Sequence, residues 1–394
     1  MLIHKIQTAA RMMSRSAVLL VVALGSGGLQ AQPISGQDAK DLQRYSHMLD
    51  GKPAVEQRLI VQEMVADARQ RILRGDSGSD SILSQAGSWA KALGDLPLAM
   101  KCWELMLNAP ETHAGEFSAL RMLGVTHSRH NRTTKAKEYL RAATDLAERE
   151  PEFLKTYHRS LVMVVQEFAS LLEQGGEILE AAEVREILLR PHLEGVVAER
   201  ARKWAMLSNA RSLAKAGFRE DAVGWYDRYI ADQALADIEG GLASRMRAQM
   251  ARARLVHLDQ PGQLESALKS IWENPAYQNL PESAEVGWAW AREFRQHGPE
   301  YDDLSVDIYL EIADRMKMIC DASDDHADGP SRVERTATEN LETTLRFILV
   351  LAENAERHHD ALLAAVEYEK RFGIPEEHKF IKQTADRAME HLAR

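Results

Sequence analysis

"GFREDAVGWYDRY", residues 217–229, decides the fold, because it carries one copy of a spacing that recurs along the chain. Its alanine, Ala222, follows the opening glycine by five residues and precedes an aromatic residue, Tyr226, by four. "GDLPLAMKCW", residues 94–103, has the same spacing, with Ala99 and Trp103 in the equivalent places. A small residue also stands twelve positions before each recurring alanine, which gives the pairs Gly87 and Ala99, Gly124 and Ala136, Ala169 and Ala181, and Ala210 and Ala222.

This spacing predicts pairs of antiparallel helices, each pair joined by a tight turn. Small residues at a crossing let two helix backbones approach closely, while large residues one turn away fill the flanks. Seven positions after each first small residue stands a glycine or an asparagine, which tolerate the left-handed backbone that ends a helix: Gly94, Asn131, Gly176 and Gly217. The recurring alanines lie 37, 45 and 41 residues apart. Such periods indicate a repeat array.

The repeats resemble those of the tetratricopeptide repeat family. The resemblance rests on Gly87, Ala99, Trp103 and Pro110 in the first copy, on Gly124, Ala136, Ala143 and Pro151 in the second, and on Ala210, Gly217, Ala222 and Tyr226 in the fourth. The third copy departs from the pattern, since Arg185 occupies a place that the family usually fills with a bulky apolar or aromatic residue. We therefore expect an all-α protein, an α-solenoid of six or seven stacked antiparallel helical hairpins, with strands nearly absent.

The pattern predicts six segments. Residues 1–31 are interpreted as a signal peptide, residues 32–78 as an N-terminal helical pair, and residues 79–235 as the best-matched repeats. Residues 236–320 are predicted to form further helical hairpins, residues 321–333 an acidic loop, and residues 334–394 a C-terminal hairpin with a capping helix. The capping helix is expected over residues 376–392, after the helix-stop signal at 373–375.

The first residues have the composition of a secretory signal. Lys5, Arg11 and Arg15 precede an apolar octet at 17–24, and Ala31 stands at a suitable cleavage position. We therefore expect an exported protein, periplasmic or secreted. An apolar stretch of eight residues is too short to span a membrane, so no transmembrane anchor is expected.

Composition narrows the range of partners and cofactors. The formal net charge is −10, and an acidic chain is a poor nonspecific nucleic-acid binder, so no nucleic-acid partner is predicted. The two cysteines, Cys102 and Cys320, are expected to be small buried residues rather than redox groups, with a bridge between them left open. No cofactor motif is present, and no cofactor is predicted.

The acidic loop resembles a calcium-binding loop without meeting its requirements. Asp324, His326, Asp328 and Gly329 follow the spacing of an EF-hand. However, Arg335 stands where a bidentate glutamate is required, so a solvated acidic loop is the favoured interpretation.

Two other patterns suggest chemistry and lack decisive members. Ser88 with Lys91, and Ser212 with Lys215, have the Ser-x-x-Lys spacing of acyl-serine enzymes, but the accompanying motifs are absent. The histidine pairs at 127 and 130 and at 358 and 359 have no matching cysteine or carboxylate set, and both are interpreted as surface histidines, the second in an interhelix turn. No catalytic residue and no metal ligand is predicted, and the protein is not expected to be an enzyme.

The resemblance implies a binding groove, because first helices line the concave face of such arrays. The positions that would face the groove are Ser84, Ser88 and Lys91, then Arg121, Val125 and Arg129, then Gln166, Ser170 and Glu173, and finally Leu207, Arg211 and Lys215. Five of them are basic in an acidic chain: Lys91, Arg121, Arg129, Arg211 and Lys215. Because arginine pairs well with carboxylates, these five are predicted to bind a protein or acidic peptide partner.

Three functions are thus compatible with the sequence. The preferred one is an exported scaffold or adaptor that binds a partner in its groove. The second is a hydrolase or metal-dependent enzyme with a site in the C-terminal third, around the acidic loop and His326. The third is a self-assembling structural protein, and the sequence leaves the oligomeric state open.

Overall fold

A computed structural model describes residues 36–232, 240–322, 330–374 and 378–394, which contain seventeen α-helices and no strand. The predicted signal peptide at 1–31 lies outside these ranges. The chain divides into two compact units, Met1–Ala216 and Gly217–Arg394. The predicted all-α class of stacked antiparallel hairpins is confirmed.

The helices of the first unit follow one another with short turns between them. They are α1 (Gly36–Leu49), α2 (Ala54–Arg74), α3 (Ser79–Ala92), α4 (Leu96–Asn108), α5 (His113–Arg129), α6 (Thr133–Arg149), α7 (Leu154–Gln174), α8 (Ile178–Glu186) and α9 (Glu199–Ala216). Each helix packs on the next, and the first helices of successive hairpins also pack together, α3 on α5 and α5 on α7. This second set of contacts places α3, α5 and α7 side by side.

Glycines form the crossings inside these hairpins. Gly87 of α3 faces the buried indole of Trp103, and a Cβ at Gly87 would overlap that ring. A Cβ at Gly124 of α5 would lie only 2.7 Å from Leu140 Cδ2. The turn residue Asn131 has a φ of 56°, in the left-handed region where the turn prediction puts it. The sequence spacing therefore corresponds to real helix crossings.

The second unit uses the same construction. Its helices are α10 (Arg219–Ala231), α11 (Gly241–Val256), α12 (Pro261–Trp272), α13 (Ala284–Arg295), α14 (Asp302–Asp321), α15 (Arg332–Asn354), α16 (His358–Phe372) and α17 (Lys379–Leu392). At the crossing of α13 and α14, a Cβ at Gly287 would lie 2.6 Å from Ile312 Cδ1. One continuous core runs from Met246 to Ala388.

The third hairpin buries a charge where a repeat usually has an apolar residue. The Arg185 side chain is 4% exposed, and its Nη2 donates to Glu173 Oε1 of α7 at 2.5 Å. Its Nη1 donates to Asn209 Oδ1 of α9 at 3.3 Å, and its guanidinium lies 5.7 Å from the centre of the Trp204 ring. Glu173 also accepts a hydrogen bond from the hydroxyl of Ser212. The ion pair thus joins α7 to α8, and the hydrogen bonds of its two members with Asn209 and Ser212 connect both helices to α9.

Several details differ from the sequence predictions. The described residues contain seventeen helices, more than six or seven hairpins require. Helix α8 is short because two 3-10 turns, Ile187–Leu189 and Pro191–Leu193, follow it directly. The final helix begins at Lys379, later than predicted, and residues 375–377 lie outside the described ranges. The fourth predicted pair, α9 and α10, falls on the division between units, so the crossing of Ala210 and Ala222 stays a prediction.

The cysteines also differ from each other in the structure. Cys102 is buried, and burial raises the pKa of its thiol to about 12, which makes it unreactive. Cys320 is half-buried rather than buried, and its sulfur lies 3.6 Å from Thr338 Oγ1. The two sulfurs are not bonded to each other.

Candidate partner-binding site

Two carboxylates hold the N-terminal ends of α3 and α5 together. Asp80 Oδ2 accepts hydrogen bonds from the backbone N–H groups of Glu111 and Thr112, both at 3.1 Å, just before α5. Glu111 in return accepts from the N–H groups of Gly78 and Ser79 at the start of α3, at 3.1 and 3.0 Å. The N–H groups at a helix start lack partners within the helix, so each carboxylate satisfies the other helix's donors. This reciprocal cap fixes α3 beside α5.

Three of the predicted binding residues come together on this pair of helices. The pKa of Lys91 on α3 is lowered first by burial and then by the positive charges of Arg129 and Arg121 on α5. Burial also lowers the pKa of Arg121. Lys91 and Arg121 are half-buried, whereas Arg129 is exposed. We call Lys91, Arg121 and Arg129 the basic cluster.

The basic cluster has no acidic partner among the described residues. None of its three members forms an ion pair or hydrogen bond with another side chain there, and Arg121 Nε is shut off from solvent without a partner. After burial, the phenol of Tyr157 on α7 acts on the pKa of Arg121 in the opposite direction, and the pKa of Tyr157 is itself raised chiefly by burial. Burial and mutual repulsion both disfavour the charged state of these cations. A bound anion would relieve both, so the basic cluster is a suitable anion site.

The remaining predicted groove residues are arranged differently. Arg211 and Lys215 are exposed on α9, and the structure does not bring them into the basic cluster. Glu173, another groove position, is occupied by its ion pair with Arg185. Lys91, Arg121 and Arg129 thus lie on α3 and α5, apart from Arg211 and Lys215 on α9, and the role of all five in binding stays a prediction.

The structure also describes the Ser-x-x-Lys pairs and the histidine pairs of the sequence analysis. Ser88 Oγ donates to the carbonyl of Ser84, and Ser212 Oγ to Glu173, so neither hydroxyl is aligned with its lysine. His358 begins α16 rather than lying in the turn before it, and its ring stacks on that of His391 at 4.1 Å. The surface interpretation of His127 was wrong, because it is only 3% exposed, beneath the turn that follows α5.

The calcium-like loop is not covered by these observations. Its residues Asp324, His326, Asp328 and Gly329 lie outside the described residues. Within the ranges that are described, no group of three or more histidine, cysteine, aspartate or glutamate side chains is arranged to hold a metal ion. In the same ranges, no helix combines the length and apolarity needed to cross a membrane.

Asp80 gives the reciprocal cap a pH dependence. Burial, followed by the negative charge of Glu111, raises its pKa from 3.8 to about 6. A raised carboxyl pKa means that the folded state holds the proton more tightly, so this contribution to stability is full below pH 3.8 and lost as pH rises through about 6. The loss is on the order of 2 kcal/mol.

Asp80→Asn is therefore expected to remove this part of the pH dependence, because the amide oxygen still accepts the cap hydrogen bonds and carries no charge. Denaturant unfolding of both proteins at pH 4 and pH 7 measures the free energy of unfolding at each pH. The variant should lose about 2 kcal/mol less than wild type over that interval. Equal losses in the two proteins would show that Asp80 does not titrate there.

Comparisons with known proteins give only distant matches. The chain matches no protein-family model and no curated protein. Among solved structures, it is similar to a tetratricopeptide repeat protein from Parabacteroides merdae, with 12% identity over 79% of this chain and 98% of that one and a TM-score of 0.35. RapI in its apo form is 10% identical over 91% and 98%, with a TM-score of 0.43. BtubC from P. vanneervenii is 14% identical over 64% and 90%, with a TM-score of 0.36.

At such TM-scores these likenesses carry no functional conclusion. The class is carried by the structure itself, in which antiparallel helical hairpins with small residues at their crossings stack within each unit. The chain is therefore an all-α protein of stacked antiparallel helical hairpins, the fold that the tetratricopeptide resemblance implies.

Proposed function

We propose that this protein is an exported scaffold or adaptor that binds an acidic segment of a protein partner at the basic cluster. The observation that carries the proposal is Arg121, a half-buried arginine whose Nε has neither solvent nor a hydrogen-bond partner among the described residues. Burying a charge is costly unless an opposite charge or hydrogen bonds compensate it. A carboxylate from a partner would supply both.

The surroundings of Arg121 favour the same kind of partner. After burial, the positive charges of Arg129 and Arg121 lower the pKa of Lys91, and an acidic segment would relieve that repulsion. Arg211 and Lys215 are exposed and extend the basic surface along the first unit, on α9. They are expected to attract an acidic segment at longer range and to contribute less to its binding.

Export is the second part of the proposal. It rests on the N-terminal sequence, in which three basic residues precede an apolar octet and a cleavage-type alanine, Ala31. The partner is accordingly expected at the cell envelope or outside the cell. Fractionation of cells that produce the full chain tests this, and a mature N-terminus near residue 32 is the expected result.

Binding is tested with a fluorescently labelled peptide rich in aspartate and glutamate, measured by anisotropy. The double variant Arg121→Gln, Arg129→Gln is expected to weaken binding about tenfold or more, because charge-assisted hydrogen bonds contribute about 1.5–3 kcal/mol each. Rising salt should also weaken binding to wild type, since partly exposed charges are screened.

The matched control is Lys101→Gln with Arg149→Gln, which removes the same charge from exposed positions on the second helices α4 and α6. This control should bind like wild type. Equal weakening in both double variants would mean that net charge alone attracts the peptide, and unchanged binding in the cluster variant would reject the site.

A further inference from the structure

A cleft lies at the turn ends of the hairpins α3–α4 and α5–α6, and none of the residues that line it belongs to the basic cluster. Pro97 and Met100 at the start of α4 form one wall, and His127, His130 and Arg132 around the end of α5 form the other. We call these five residues the turn cleft. Its volume is about 250 Å³, below the roughly 300–1,000 Å³ of drug-sized sites, so it suits a small molecule.

His127 is the unusual member of the turn cleft. Its side chain is 3% exposed, and its ring stacks on Tyr139 with centroids 5.5 Å apart and planes 5° from parallel. The buried Nδ1 has no hydrogen-bond partner among the described residues. Most buried polar groups have such a partner, and leaving one without it costs free energy. Nδ1 of this ring therefore makes no hydrogen bond with the described residues.

The charge around the turn cleft is positive. Arg132 and His130 are exposed, and neither has an ion pair within the described ranges. Burial is the main cause that lowers the pKa of His127, and the charges of Arg132, Lys135 and His130 act in the same direction, against Glu104 alone. The walls contributed by Pro97 and Met100 are apolar. The combination is a small apolar slot with a cationic rim.

We propose that the turn cleft binds a small organic anion, a single carboxylate on a compact apolar body such as one ring. The body would lie between Met100, Pro97 and the His127 imidazole, and the carboxylate would face Arg132 and His130. A single ring is the appropriate size, since even a cavity of about 150 Å³ can hold benzene. This site is independent of the basic cluster, and it uses residues that the proposed partner binding does not need.

Benzoate is the probe, and thermal unfolding of the full chain over a benzoate series is the measurement. Wild type should show a saturable rise in melting temperature, because a ligand that binds only the folded state stabilises it. Benzamide has the same shape without the charge and should bind at least about tenfold more weakly. Inorganic phosphate, which has the charge without the ring, should also bind more weakly than benzoate.

Two variants and a control locate the site. Arg132→Gln should weaken benzoate binding about tenfold, and His127→Phe, which keeps an aromatic ring beside Tyr139, should also weaken it. Arg149→Gln removes an exposed arginine from the last residue of α6, the helix that begins just after Arg132, and should bind benzoate like wild type.

Three outcomes would overturn the proposal. They are no saturable shift in wild type, equal binding of benzamide and benzoate, and equal benzoate affinity in Arg132→Gln and wild type. Arg132 is exposed, so its variant is expected to fold and remains informative even if His127→Phe does not.

Discussion

Replacing Arg185 with alanine is expected to lower the free energy of unfolding by about 3–5 kcal/mol, because it leaves Glu173 without its buried partner. The Arg185 side chain is 4% exposed and bonds Glu173 at 2.5 Å and Asn209 at 3.3 Å. The substitution removes the cation, opens a cavity and deprives Asn209 Oδ1 of a donor. Denaturant unfolding followed by circular dichroism measures the change.

The matched control is Arg190→Ala, in the segment between α8 and α9. Arg190 pairs with Glu148 at 3.1 Å, but the side chains are 47% and 39% exposed. Exposed pairs typically contribute about 0–1 kcal/mol, so this variant should change stability little. If Arg185→Ala cost no more than Arg190→Ala, the buried network would not be holding α7, α8 and α9 together.

Replacing Gly87 with alanine is expected to destabilise the protein by about 1–3 kcal/mol, although alanine is the better helix former. The added methyl group would overlap the indole of Trp103, which is 1% exposed and has no room to move away. The gain in helix propensity, about 1 kcal/mol, offsets only part of the overlap. The melting temperature and the denaturant midpoint should therefore both fall.

Gly224→Ala is the control with the opposite sign. Gly224 lies in the interior of α10, is exposed, and has no atom within 4 Å of a Cβ built upon it. Alanine there should stabilise the chain by up to about 1 kcal/mol. A stabilising effect at both glycines would mean that the crossing at Gly87 is not closely packed.

Much of the fold could be predicted from short-range sequence features. The twelve-residue separation of Gly87 from Ala99 and the turn glycine between them specify one hairpin without reference to the rest of the chain. The partners of Arg185 could not be predicted in this way. Glu173 and Asn209 come from two other helices, and no local pattern says which distant polar groups will converge on a buried charge.

The candidate site was predictable only in part. The helical spacing placed Lys91, Arg121 and Arg129 on α3 and α5, which are neighbours, but it could not show that Lys91 and Arg121 are half-buried while Arg211 and Lys215 are exposed. Burial depends on what packs around each residue. Histidine occurs both inside and outside proteins, so the burial of His127 could not be inferred from its residue type. The pairing of Asp80 with Glu111 was not predicted, because the two residues lie in different hairpins and no local spacing connects them.

The reciprocal cap of Asp80 and Glu111 also limits how this array can be cut or rearranged. Each carboxylate belongs to one hairpin or its approach and accepts from backbone donors of the other, 31 to 33 residues away. A deletion that removes the hairpin of α3 and α4 would leave the start of α5 without Asp80. A different hairpin inserted in its place would need an acidic residue at the position equivalent to Asp80. These two hairpins therefore have to be kept together when repeats are exchanged between proteins. Exchanges at other turns should be tolerated better than an exchange between α4 and α5.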